Sequence, residues 1–361
     1  ALDELYGARI EAAVRKEGEN LCIGFLSDCI DEAYAPGADG LTAGVIGLLT
    51  DLLCDPYLQD GLFCAAYVDG ERGNLIDRIA SLKNDPRSWA PRRLNEIMCE
   101  NEAYGQSALG TAEQAAHITP ETLYAAYRRA LREAQVELFY CGTMQPDDIA
   151  ALFAATPLAQ PREGTLYQPH TVVQARPAGP VREVIEEAQV TQGKLSLGFR
   201  TGGAALTEGD APAFWLFQTI YGGSTSAKLF LNVREKKSLC YYASAQFVAS
   251  KGLMIVNSGI ENRNFEVARD EILHQLEVCR TGGITESELE SARKTLVNSW
   301  RTMLDDPLTL ERYWLGQAAA GTLVSPEARI DQMADVDLAR VITAAQNTAL
   351  DTVFFMKGAA Q

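Results

Sequence analysis

Apolar positions along this chain fall into short alternating runs and longer stretches of helical spacing, and the order of these blocks repeats. Residues 9–14 and 21–25 flank a Glu17-Gly18-Glu19 turn, which predicts a β-hairpin. Val45, Ile46, Leu48, Leu49 and Leu52 recur at helical spacing and predict a helix. A second helix over 59–83 stops at Asn84-Asp85-Pro86, because proline cannot continue it. A third covers 87–100. A further one opens at Thr119-Pro120, a capping residue followed by proline in the first turn. Val136-Glu137-Leu138-Phe139-Tyr140 then predicts a strand ending at Gly142.

The later half runs through the same order. Strands are expected over 241–248 and 253–256 around Ser250-Lys251-Gly252, then a helix over 264–279. A helix over 285–304 opens on the capping box Thr285-Glu286-Ser287-Glu288 and stops at Asp305-Asp306-Pro307. A helix over 308–320, one opening at Asp335 and a strand over 352–356 complete the series. Gly18 and Gly252 lie 234 residues apart, Pro86 and Pro307 221 apart, and Gly142 and Gly358 216 apart. The offset shrinks because residues 31–40 have only Glu261-Asn262-Arg263 as their counterpart. Six elements in one order, with matching helix stops, predict a duplicated domain. The fold class expected is α+β: two similar domains, each a mostly antiparallel sheet covered by helices.

The copies differ at their starts. The second opens with a strand over 194–200 and a helix over 210–221, and the first begins at residues matching about 237. The first domain is therefore expected to lack its opening strand and helix, leaving a sheet edge to be covered. Pro157, Pro161, Pro169, Pro177 and Pro180 predict a semi-rigid linker. The expected division is 1–156, a linker over 157–182, and 183–361.

Composition narrows the function. A 47% hydrophobic content over 361 residues supports packed domains rather than disorder. No run of 18 apolar residues and no signal peptide are found, so no membrane span is expected. The net charge of −16 argues against nucleic acid and anionic lipid as partners and suits basic or neutral ligands. The eight cysteines form no C-x-x-C pair and sit mostly in apolar segments, which points to reduced thiols and a cytoplasmic setting. His117, His170 and His274 are too far apart in sequence to make a local ligand pair. No phosphate loop, nucleophile elbow or cysteine–histidine signature is present.

One segment is specific. Ile220-Tyr221-Gly222-Gly223-Ser224-Thr225-Ser226-Ala227-Lys228-Leu229-Phe230 leads to Val233-Arg234-Glu235-Lys236-Lys237-Ser238-Leu239-Cys240-Tyr241. It resembles the second-domain signature of the M16 (pitrilysin/insulinase) metallopeptidase superfamily, a Gly-Gly turn followed by Leu-Phe, Arg-Glu-Lys and Leu-x-Tyr. The duplication and the helices ending at Asp-Pro extend the resemblance over essentially the whole chain. The resemblance implies that Arg234 and Tyr241, seven residues apart, face a peptide-binding chamber and hold the substrate backbone. A guanidinium can clamp a carbonyl or carboxylate, and a phenol can donate to an oxyanion. Spacing alone favours Arg234 pairing with a local acid and Tyr241 packing on its strand, and the family match reverses that order. Tyr242 lies on the opposite strand face and is the poorer candidate.

The family's zinc site is a His-x-x-Glu-His helix with a distal glutamate on a helix reading Glu followed seven residues later by Glu. This sequence contains no His-x-x-Glu-His. The second helix retains Glu71, but the ligand position matches Arg78, whose guanidinium repels a cation. A register one residue shorter brings Asp77 there, still without histidine partners. No catalytic residue and no metal ligand are assigned, and zinc is expected only in a catalytic partner. The resemblance implies a non-catalytic member, like the inactive proteins of Gram-positive bacteria or the non-zinc subunit of two-subunit enzymes. It would pair with a zinc-bearing homologue or with itself and bind peptide. The alternatives are an active zinc endopeptidase whose His-x-x-Glu-His segment lies outside this sequence, and a purely structural subunit.

Overall fold

Two units separate in the computed structural model, which describes residues 3–34, 37, 40–162 and 165–358. One comprises Ala1–Ala80 and Ala108–Pro169, the other Ser81–Ser107 and His170–Gln361. Of the expected 31–40 insertion, residues 35, 36, 38 and 39 lie outside the described residues, as do 163–164 of the expected linker.

The first unit opens with the expected hairpin. Strands β1 (Arg9–Glu17) and β2 (Asn20–Asp28) pair antiparallel, with Val14 opposite Ile23. Gly18 takes φ 58°, which an L side chain adopts at a cost, so the turn selects glycine. Helix α1 (Leu41–Cys54) follows, and its Leu41 and Val45 pack with Ala8. A small hairpin of β3 (Leu58–Gln59) and β4 (Leu62–Phe63) then interrupts what the sequence reads as helix from 59. Its turn is Asp60-Gly61, with φ 52° and 80°, a dipeptide suited to a two-residue hairpin loop. Helix α2 (Ala65–Ser81) therefore begins six residues later than expected. Phe63 meets Tyr124 and Tyr127 edge-on at 5.6 and 5.3 Å, and Tyr127 donates to the Leu53 carbonyl at 2.8 Å.

Helix α3 (Pro86–Met98) belongs to the second unit. The first unit continues with α4 (Ala112–Ala116), α5 (Pro120–Glu133) and α6 (Pro146–Ala154). α5 starts as expected, on a reciprocal Thr119–Thr122 capping box. The strand expected over 136–140 does not form. Among the described residues no neighbouring backbone offers it a ladder, and alternation without a partner does not make a strand.

The second unit is built on a five-stranded sheet. Its elements are β5 (Arg182–Ala188), β6 (Gly193–Arg200), α7 (Ala211–Gln218), β7 (Cys240–Val248), β8 (Leu253–Ile260), α8 (Phe265–Arg280), α9 (Glu286–Met303), α10 (Pro307–Ala319), α11 (Pro326–Ala334), α12 (Leu338–Asn347) and β9 (Ala349–Gly358). The spatial order is β5-β9-β6-β8-β7, with β5 parallel to β9 and every other pair antiparallel. The sequence reading misses β5, whose Arg-Glu-Val-Ile-Glu-Glu-Ala run is too charged to stand out. It also misses α11, and the helix expected to open at Asp335 begins at Leu338 as α12.

One sheet face carries the core. Leu195, Leu197, Phe199, Val256 and Phe355 are buried with Phe214 and Phe217 of α7 and Ile272 and Leu276 of α8. The other face receives α3, whose Ala90 and Leu94 pack on Ile255, Phe354 and Met356. Gly198 permits this approach, because a Cβ there would stand 2.5 Å from Met98 Sδ. This packing explains why residues 81–107 segregate with the second half, a placement the division at 156 and 182 does not anticipate.

A buried charge cluster fixes the end of that segment. Arg200 is 1% exposed and Lys251 fully buried. Arg200 donates to Asp351 at 2.9 Å and to Glu102 at 2.6 Å, and Lys251 reaches Glu102 at 2.7 Å. Burial pushes the Glu102 carboxyl up, but the hydrogen bonds and charges of Arg200 and Lys251 outweigh it and hold it below the usual glutamate value.

Candidate functional site

The Gly-Gly signature lies where α7 runs on into a π-helical turn, Thr219–Gly223. Gly222 is required by proximity, since a Cβ would stand 2.7 Å from the Ala245 nitrogen and 2.8 Å from Leu229 Cδ1. The turn therefore lies flat against β7. Tyr221 is fully buried, donates to the Ile272 carbonyl at 2.9 Å, and is driven well above the ordinary tyrosine value by burial. Tyr221, the tyrosine before the glycine pair, is thus part of the packing.

The chain next forms a longer π-helical segment, Leu229–Lys236, which carries Arg234. A row of hydrogen bonds pins this segment to α8. Asn232 donates to Gln275 Oε1 at 2.9 Å, Gln275 donates to Glu271 at 2.7 Å, and Lys237 closes on Glu271. Burial raises the Glu271 carboxyl, and the bonds from Lys237 and Gln275 more than reverse that. Ser238 and Leu239 return their N–H groups to the Arg234 and Val233 carbonyls at 3.0 Å each. Ser238 takes φ 51°, a conformation that costs a non-glycine residue about 1–2 kcal/mol. This sharp reversal leads directly into β7.

The structure puts Arg234 and Tyr241 on these two consecutive elements, both on the surface. The Arg234 guanidinium lies 4.7 Å from the Phe230 ring centroid, one turn back. Its contact with Glu235 is 3.5 Å between two exposed groups, a pair that contributes about 0–1 kcal/mol. Tyr241 is 62% exposed. The pairing register slips between Cys240 and Tyr242, so Tyr241 is the extra residue of a β-bulge on the outermost strand. Spacing alone does not reveal this bulge. Tyr242 is half-buried on the α3 side, with Arg87 stacked 4.6 Å from its ring centroid. The corner thus offers an arginine fork and a phenol to solvent, the phenol on a strand whose outer edge meets no other strand among the described residues, a set suited to a carbonyl or carboxylate.

Glu71 and Arg78 lie on α2, both exposed, and Asn74 donates to Glu71 at 3.3 Å. His117 bonds through Nδ1 to the Glu113 carbonyl at 2.8 Å. Among the described residues, no three His, Cys, Asp or Glu side chains come together as a metal-holding group.

Comparison with known proteins decides the family. Over 358 residues the chain is 32% identical to the "Probable inactive metalloprotease YmfF" of Bacillus subtilis, covering 99% of this chain and 83% of that protein. The chain belongs to the peptidase M16 family. Residues 117–296 match the family described as the peptidase M16 inactive domain. Among solved structures, a conserved protein from Enterococcus faecalis superposes with a TM-score of 0.86 at 27% identity, covering 100% of this chain and 84% of that one. A peptidase M16 inactive domain from Pseudomonas fluorescens superposes with 0.75 at 17% identity over 99% and 83%, a likeness of fold. The M16 resemblance read from the signature and the α+β fold class are both upheld. The chain is a homologue of inactive M16 peptidases.

Zinc is the metal this family implies, and the residues present do not fit it. Arg78, the residue the sequence reading aligns with the distal ligand, is an exposed guanidinium on α2, Asp77 beside it is exposed too, and no metal-holding group of His, Cys, Asp or Glu forms among the described residues. No helix of the described residues is long and apolar enough to cross a membrane.

Proposed function

We propose that this chain is a non-catalytic M16 homologue that binds peptide through Arg234 and Tyr241 and completes the chamber of a zinc-bearing M16 partner. The observation that supports this reading is the exposure of Arg234 and Tyr241, taken with an α2 helix on which the sequence reading aligns Arg78 with the zinc ligand. The partner is a zinc-bearing homologue or a second copy, and zinc enters with the catalytic subunit. The absence of disulfides among the described residues suits a cytoplasmic setting. The corner's chemistry is positional: a guanidinium fork aligns a peptide carbonyl, and the phenol donates a second hydrogen bond to it.

The test is peptide cleavage with added zinc, by the chain alone and mixed with the nearest His-x-x-Glu-His homologue of the same organism. Cleavage in the mixture alone, falling at least tenfold with Arg234→Ala, is the expected result. Cleavage by the chain alone would establish an active enzyme. No cleavage in either case, with Arg234→Ala neutral, would leave a structural subunit.

A further inference from the structure

The same sheet has a second free edge. Strand β5 pairs only with β9, so its outer N–H and C=O groups meet no strand among the described residues. Beside it, α3 and residues 186–190 enclose a cavity of about 780 Å³, within the range of small-ligand and side-chain pockets. Its apolar lining comes from Pro86, Trp89, Val190 and Met356. Its charged lining holds Glu96, Glu186 and Glu187 against Lys83 and Arg93. Arg93 is already committed, to Glu96 at 3.0 Å and Glu186 at 2.8 Å, and Lys83 lies 5.7 Å from the Trp89 ring centroid. Glu187 is exposed and makes no ion pair among the described residues.

An open edge next to an apolar pocket is the arrangement by which sheets take up extended peptides. The main chain joins the ladder while alternate side chains enter the pocket. Charge decides the occupant. β5 carries Glu183, Glu186 and Glu187 against Arg182 alone, so an antiparallel second copy would set carboxylate against carboxylate. The whole chain's net −16 opposes an acidic partner in the same sense. We infer that the groove between α3 and the free edge of β5 is a second peptide-binding site, taking an extended segment of alternating apolar and basic residues, with an apolar side chain against Trp89 and a basic one at Glu187. It lies at the opposite edge of the sheet from Arg234 and Tyr241 and stands independently of that corner's role.

The probe is a fluorescein-labelled octapeptide alternating valine and lysine, with its valine–glutamate counterpart, titrated against the full chain by anisotropy. The lysine peptide should bind at least tenfold more tightly than the glutamate peptide. Glu187→Lys should weaken it at least tenfold, while Asp331→Lys, the same charge change on exposed α11, should shift it less than twofold. Hydrogen exchange should show new protection at 182–190. Equal losses from Glu187→Lys and Asp331→Lys would reduce the binding to general charge attraction and overturn the site. Protection at 240–248 in place of 182–190 would assign the peptide to the Arg234/Tyr241 corner and likewise overturn it.

Discussion

The hairpins β1–β2 and β7–β8, which the sequence pattern aligns with one another, lie in different surroundings. Both turn through a left-handed glycine, Gly18 at 58° and Gly252 at 69°. In the second, β8 runs between β6 and β7, and all but one of its eight residues are buried. In the first, the two strands pair only with each other among the described residues, and Val14, Leu21 and Ile23 are 50%, 53% and 67% exposed. Local sequence therefore suffices to make the hairpin, and burial comes from the layers around it. The repeated helix start makes the same point. Asp85 accepts from Ser88 ahead of Pro86, and Asp306 accepts from Thr309 ahead of Pro307. Both are capped helices with proline in the first turn, yet only the first packs on the sheet of the other half.

The contrast can be broken at its strongest point, the Arg200–Glu102–Asp351–Lys251 cluster. Replacing Glu102 by Ala removes the carboxylate shared by buried Lys251 and Arg200, leaving Arg200 with Asp351, and should cost about 3–5 kcal/mol in chemical denaturation. The pH dependence follows from the depressed Glu102 value. Its contribution is complete above the ordinary carboxylate value of 4.5 and is lost as pH falls through the lower folded value. Acid unfolding of the parent should therefore steepen below about pH 4.5, and Glu102→Gln should flatten that limb. An unchanged acid limb would remove Glu102 from the account.

A smaller effect separates the hairpins directly. Val256→Ala, at a fully buried position, should cost about 1–3 kcal/mol, and Ile23→Ala about 0.5 kcal/mol or less. Equal losses would mean that the β1–β2 face is covered in solution. The mildest test is chemical. Burial pushes the Cys99 and Cys279 thiols up to about 12, whereas Cys29 and Cys141 are exposed. Iodoacetamide on the native protein should label Cys29 and Cys141 well before the other two, read by peptide mass spectrometry. Early labelling of Cys99 would show that α3 lifts from the sheet.

The sequence by itself determined the local devices: the glycine turns, the Thr285 capping box, the Asp-Pro helix starts and the signature that names the family. These depend on contacts within a few residues, so they can be read from the order of side chains. It also brought Arg234 and Tyr241 forward, through their place in that signature. Tertiary structure alone decided that α3 crosses to the second sheet, that Tyr241 is the residue of a bulge, that β5 is a strand with a free edge, and that 136–140 is not one. Each of these depends on which distant backbone or side chain lies alongside. Gly198 illustrates the difference: in sequence it is an interruption in a strand, and in the fold it is the gap into which Met98 and Leu94 pack.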